Sequence, residues 1–147
     1  KGPTYGLASL INPDFVRVGG KAAEGVQVSA GPVIVSEQLP DGHFSKKLSA
    51  DFRKAYKEAN DSESRDGFSA YSFDAYLVFA AAAERALGKA KPGSPEFRKA
   101  LRDEMLNTTE LAGVHGVYNF KPGQGYGVDD PSLVIVQLKD GKWIYTP

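Results

Sequence analysis

The stretch Gly19-Gly20-Lys21-Ala22-Ala23-Glu24-Gly25-Val26 joins a predicted helix to a predicted strand and carries one carboxylate close to glycines. Before it, Asn12 is a suitable helix N-cap and Pro13 suits the first helical position. In open α/β sheets, ligands bind in crevices at the ends of strands. Glu24 is therefore either a carboxylate that faces a ligand or a solvated glutamate in a turn. The residues alone favour the solvated turn, because exposed glutamate is common.

Apolar residues follow this junction and predict a buried strand. They are Val26, Val28, Val33, Ile34 and Val35. Short runs of β-branched residues are typical of strands that are covered on both faces. A helix followed directly by such a strand indicates an α/β fold.

Three helices are predicted in the middle of the chain. The first, at about 45–60, is amphipathic, and its apolar stripe consists of Leu48, Phe52 and Tyr56. The second covers about 72–87 and is apolar on every side, so we expect it to be largely buried. Asp74 is expected in its first turn, at the positive end of the helix dipole. The third begins at Ser94, an N-cap residue that is followed by proline.

The C-terminal part of the chain is predicted to be β-structure. Residues 117–120 read as a short strand, and a glycine-rich loop follows at 121–128. A stronger strand is predicted at 133–138. Asp140-Gly141 is a hairpin turn signal, and residues 142–145 form the partner strand.

The composition excludes several classes of function. Eighteen basic residues balance eighteen acidic ones, so no binding surface for nucleic acid or an anionic membrane is expected. The chain has no cysteine, which excludes disulfides, thiol catalysis and cysteine zinc sites. His43 and His115 lack metal-ligand spacing, which favours packing or solvent contact. No nucleophile motif or carboxylate pair indicates an enzyme.

Five segments, in this order, resemble a known family. They are Ala22 to Val26, Phe68-x-x-Tyr71-Ser72-x-Asp74-Ala75, Pro92 to Arg98, Gly116 to Phe120, and Lys139 to Trp143. The chain is similar to the C-terminal part of the periplasmic substrate-binding protein of a branched-chain-amino-acid-type ABC transporter. The ordered set carries this resemblance, since no single motif is diagnostic.

The resemblance implies a type I periplasmic binding fold, an α/β fold of two hinged lobes, each a parallel sheet flanked by helices. Residues 1–45 would belong to the second lobe, the helical residues 46–127 to the first, and residues 128–147 would return to the second as a β-hairpin. The opening strands of the first lobe, which usually hold a ligand carboxylate, are not in this sequence. A missing N-terminal part of the same protein, or a second copy, is therefore an expected partner.

The resemblance also implies site residues. Glu24 would pair with the ammonium group of the ligand, and Phe68 would pack on its apolar part. Tyr71 would either line the same cleft or belong to the core, and Tyr5 would face the cleft. The implied ligand is an amino acid or an aromatic or other small organic acid. For a ligand that is not an amino acid, Glu24 would be only a neighbour.

The implied function is the solute-binding component of an ABC uptake transporter. The protein would work in the periplasm, after an export signal upstream of Lys1, and would present its ligand to a membrane permease. We expect no cofactor, no metal, no enzymatic activity and no nucleic-acid partner. The alternative is a ligand-sensing regulatory domain of the same fold without a role in transport.

Overall fold

The computed structural model describes residues 2–64, 66–128 and 132–147. Within these ranges the strands and α-helices follow the order β1 (Tyr5–Leu7), α1 (Pro13–Gly19), β2 (Gln27–Ala30), α2 (Lys46–Asn60), α3 (Phe68–Leu87), α4 (Pro95–Leu106), β3 (Leu111–Ala112), β4 (Val117–Tyr118), β5 (Val134–Lys139) and β6 (Lys142–Thr146). Among the described helices, none combines the length and the apolar character needed to cross a membrane.

The main sheet has four strands in the order β1-β2-β5-β6. Strands β1 and β2 are parallel, whereas β5 is antiparallel to both β2 and β6. The hairpin predicted at Asp140-Gly141 is confirmed, and a tight hairpin joins only antiparallel strands. The sheet departs from the parallel sheet implied by the resemblance because β5 also runs antiparallel to β2. Strands β1 and β2 come from the beginning of the chain, and β5 and β6 come from its end. The division into lobes at residues 45 and 127 stays a prediction.

The main core lies on the sheet and contains Val28, Val136 and other small apolar residues. The predicted strand at Val33 to Val35 is wrong, since Pro32–Gln38 forms 3-10 turns. Proline lacks the N–H of a sheet ladder and its fixed φ suits the start of a helical turn. Val33 and Val35 are still buried, so the apolar pattern correctly predicted burial but not backbone conformation.

Helix α1 begins as the sequence predicts. The side chain of Asn12 accepts a hydrogen bond from the backbone N–H of Phe15 at 2.8 Å, and Pro13 is the first helical residue. Phe15 then stacks on Trp143 of β6. The N-cap therefore fixes how this helix meets the sheet.

Helix α3 differs from the prediction in its start and in its burial. It begins at Phe68, about one turn earlier than expected. One stripe is buried, and it consists of Ala70, Asp74, Val78, Ala82 and Ala86. Tyr76, Phe79 and Leu87 are exposed, so the expectation of a largely buried helix is wrong. The small residues of the stripe allow close packing, while the large apolar residues lie on the uncovered face.

Helices α3 and α4 are joined by charged side chains as well as by packing. Ser94 caps α4 by accepting a hydrogen bond from the N–H of Phe97, as predicted. The buried Glu104 of α4 accepts hydrogen bonds from Lys89 and Arg85, which lower the pKa of its carboxyl. The ion pairs fix the two helices against each other at their polar ends.

The carboxylate of Asp74 holds the segment before β4 against α3. Asp74 is 1% exposed and accepts hydrogen bonds from the N–H of Val114 at 2.8 Å and from that of His115 at 2.9 Å. The hydroxyl of Tyr118 donates a third bond at 2.8 Å. Burial, and then the carboxylate itself, raise the pKa of Tyr118. Asp74 therefore anchors another segment, and its expected role at the helix dipole is wrong.

We predict that Asp74→Asn destabilises the fold by about 3 kcal/mol, because an amide presents donors where backbone N–H groups also donate. Tyr118→Phe removes only one of the three donors and should cost about 1 kcal/mol. Urea unfolding followed by circular dichroism measures both. Equal losses for the two variants would show that the backbone bonds to Asp74 contribute nothing.

Candidate functional site

A cavity of about 130 Å³, called here the inner cavity, lies at the carboxyl ends of the parallel strands β1 and β2. Its described lining residues are Ala8, Ser9, Ile11, Ala30, Gly31, Ile34, Gly67, Phe68, Tyr71 and His115. Ligands in open α/β sheets bind at this end of the strands. None of the described lining residues is acidic, and none is lysine or arginine.

The imidazole of His115 forms one wall of the inner cavity. It stacks on the ring of Tyr71, with centroids 3.8 Å apart and planes 12° from parallel. On its other side the ring lies against Gly31, where a Cβ would be only 1.8 Å from Nδ1. The ring therefore fits only because residue 31 has no side chain.

The hydrogen bonds of His115 define its protonation state. Its Nε2 lies 3.1 Å from the carbonyl oxygen of Gly67, which only accepts, so the hydrogen is on Nε2. Among the described residues, Nδ1 has no hydrogen-bond partner and is buried. Burial lowers the pKa of His115 more than the Gly67 carbonyl and Asp74 raise it. The imidazole is consequently neutral near pH 7.

A second cavity, called here the outer cavity, has a volume of about 330 Å³. Its described lining residues are Gly31, Tyr71, His115, Tyr118, Tyr126, Val128, Ser132 and Leu133. It shares Gly31, Tyr71 and His115 with the inner cavity. The stacked rings of Tyr71 and His115 thus border both spaces.

The structure brings together two of the four predicted site residues. Phe68 and Tyr71 both line the inner cavity, one helical turn apart at the start of α3. Tyr5 is on β1, is 71% exposed and lines none of the described cavities. Glu24 does not line them either. The ligand roles of all four residues stay predictions.

The carboxylate of Glu24 binds the hairpin between β5 and β6. It accepts hydrogen bonds from the N–H of Asp140 at 2.8 Å and from that of Gly141 at 2.9 Å. Both turn residues have positive φ, as the tight turns of two-residue hairpins require. Glu24 thus satisfies two backbone donors of a turn, which is a structural contact between β5–β6 and the end of the first helical region.

Sequence reasoning missed Ser9, Gly31 and the cavity position of His115. His115 was interpreted as a packing or solvent residue, and it is indeed buried. Its neighbours in the cavity are 48 and 84 positions away in sequence, at Gly67 and Gly31, so no local pattern indicates them. In the described ranges, no group of three histidine, cysteine or carboxylate residues is placed to hold a metal ion.

Solved structures of similar fold include an extracellular ligand-binding receptor from Rhodopseudomonas palustris, with 38% identity and a TM-score of 0.90. That match covers 100% of this chain and 41% of the receptor. A protein from Rhodospirillum rubrum, assigned to a branched-chain amino acid ABC transporter, has 26% identity and a TM-score of 0.68. That match covers 98% of this chain and 37% of the Rhodospirillum protein. The leucine-binding protein LivK from Thermotoga maritima MSB8 has 23% identity and a TM-score of 0.66, and the match covers 100% of this chain and 37% of LivK. At this identity the similarity shows the fold alone.

These similarities define the fold. The mixed helix and strand structure is part of a type I periplasmic binding fold, which confirms the predicted fold class. The solved structures that this chain resembles include an extracellular ligand-binding receptor and a protein assigned to a branched-chain amino acid ABC transporter. The chain spans about 40% of the length of these proteins. No protein-family model and no curated protein matches it.

We predict that Gly31→Ala destabilises the fold by about 2 kcal/mol, because the new methyl group displaces the His115 ring from a position fixed by other contacts. The backbone at Gly31, with φ of −67° and ψ of 147°, is one that alanine adopts without strain, so the cost is steric. Gly42→Ala is the control, since a Cβ there meets no atom within 4 Å. Chemical unfolding measures both, and equal stability of the two variants would contradict the steric account.

We predict that His115 makes the fold less stable as the pH falls below its ordinary pKa of 6.5. Its pKa is lowered in the folded state, so the unfolded chain binds the proton first and stability is lost as the pH falls from 6.5 toward the folded pKa. The slope approaches about 1.4 kcal/mol per pH unit. In His115→Gln, unfolding free energies between pH 5.5 and 7 should vary less. Burial lowers the pKa of His43 as well, so His43→Gln is the comparison variant, and a slope lost only in that variant would assign the effect to His43.

Proposed function

We propose that this chain is part of the solute-binding component of an ABC uptake transporter and that its ligand is an aromatic or other small organic acid. The similar receptors support the solute-binding role. The inner cavity supports the ligand class, and Phe68 and Tyr71 are the proposed binding residues. The ligand is received outside the cytoplasm and passed to a membrane permease.

The observation that carries the ligand class is the lack of any carboxylate among the described residues that line the inner cavity. The ammonium group of an amino acid would lose water on entering and would gain no counter-charge from these residues. Such an unpaired charge costs several kcal/mol. An aromatic ring loses only its hydration and gains contacts with Phe68, Tyr71 and His115. The described lining therefore favours a ring without an ammonium group.

The carboxylate of such a ligand needs donors that the described lining offers only sparsely. Ser9 and Tyr71 are the hydroxyl-bearing residues there, and the imidazole of His115 is neutral. By the family resemblance, backbone and hydroxyl groups of the opening strands of the first lobe hold this carboxylate. The proposed ligand thus lies with its ring against this chain and its carboxylate toward the rest of the receptor.

The exposed face of α3 is also proposed to pack against the rest of a receptor-length protein. Tyr76, Phe79 and Leu87 form an apolar face that the described residues leave open. Large exposed apolar faces mark interaction surfaces. Because this chain spans 41% of the Rhodopseudomonas receptor, we propose that the remaining part of the same protein covers this face.

Isothermal titration of the protein that contains this chain tests the ligand class. We predict that benzoate binds at least about tenfold more tightly than L-leucine, since the leucine ammonium lacks a partner in the cavity. Phe68→Ala should weaken benzoate binding about tenfold, because the ring packs on the ligand. Leu106→Ala is the control, since Leu106 is a large exposed apolar residue of α4 and lines neither the inner nor the outer cavity.

Tight binding of L-leucine without binding of benzoate would overturn the proposed ligand class. Glu24→Gln then shows which alternative is correct. Loss of leucine binding in that variant would support the pairing of Glu24 with an ammonium group that the family resemblance implies. Unchanged leucine binding would leave Glu24 as the hairpin contact that its two hydrogen bonds describe.

A further inference from the structure

The inner and outer cavities are adjacent spaces that meet at the same two rings. Tyr71 and His115 line both of them, and so does Gly31. The inner cavity, at about 130 Å³, is of the size that holds a single benzene ring. The outer cavity, at about 330 Å³, is large enough for a further ring or a side chain of several atoms. What separates them therefore limits the length of a bound molecule.

The His115 ring is the fixed part of this boundary. It is 6% exposed, it is bonded through Nε2 to the carbonyl of Gly67, and it lies against the bare Cα of Gly31. Its backbone N–H is also bound by the buried carboxylate of Asp74. A ring constrained from three directions has no other position available without loss of these contacts.

The Tyr71 ring is the part of the boundary that is free to change. It is 47% exposed, and the described residues give its hydroxyl no hydrogen bond. Its main fixed contact is the stack on His115. Such a stack contributes only about 1 kcal/mol, so displacement of this ring costs far less than displacement of His115.

We propose that Tyr71 is a specificity-determining partition: its ring closes the inner cavity against the outer cavity and restricts the ligand to a single ring. The inference rests on the proposed function, because it concerns the size of the aromatic acid that the site accepts. Removal of the ring joins the two cavities while the His115 wall stays in place. The joined space accepts an acid with two rings.

The test compares benzoate with biphenyl-4-carboxylate by isothermal titration. In the wild-type protein benzoate binds more tightly than the longer acid. In Tyr71→Ala the ratio of the two dissociation constants shifts by at least about tenfold toward biphenyl-4-carboxylate. Ser72→Ala is the control, since Ser72 is exposed on the same helix next to Tyr71 and lines neither cavity. It leaves the ratio unchanged. Circular dichroism verifies that each variant is folded.

The outcomes separate this inference from the proposed function. If Tyr71→Ala weakens both acids by the same factor, Tyr71 is an ordinary ligand contact, and the partition is overturned while the ligand class stands. If Phe68→Ala also shifts the ratio toward the longer acid, the shift reflects a general loosening of the site. The role of Tyr71 as a partition is then overturned as well. If the wild-type protein binds neither acid, the proposed ligand class fails, and the partition fails with it.

Discussion

The buried carboxylate of Asp74 is the interaction on which the rest of the site depends. A charge that is removed from water must be satisfied by donors, and Asp74 finds them in two successive backbone N–H groups and one phenol. Those donors belong to β4 and to the segment that leads into it. The need to satisfy one carboxylate therefore fixes the backbone at His115 against α3, and with it a wall of the inner cavity.

Close approach is the second constraint, and it depends on glycine. A Cβ at Gly113 would lie 2.6 Å from the Asp74 carboxylate, and one at Gly31 would overlap the His115 ring. Each glycine allows two segments that are distant in sequence to touch. Because a close-packed interior leaves few voids, the position of one backbone determines what the neighbouring side chains can do. The cavity is thus a product of backbone contact as much as of side-chain chemistry.

The candidate site was only partly predictable. Phe68 and Tyr71 were predicted as ligand contacts from the family resemblance, which stays a prediction, and they line one cavity because they are one helical turn apart. Glu24 was assigned to the ligand by the same resemblance, but its carboxylate binds a hairpin turn more than a hundred residues away. A sequence shows that a carboxylate is near glycines. It does not show which backbone donors will reach that carboxylate after folding.

The sequence by itself determined the local features. The Asn12 and Ser94 caps, the amphipathic α2 and the hairpin turn at Asp140-Gly141 follow from hydrogen bonding and periodicity within a few residues. Tertiary structure decided the rest: the direction of β5 relative to β2, the uncovered face of α3, and the meeting of His115 with Gly31. The physical reason is that these features depend on contacts between residues far apart in the chain, and local propensity carries no information about which distant segments will meet.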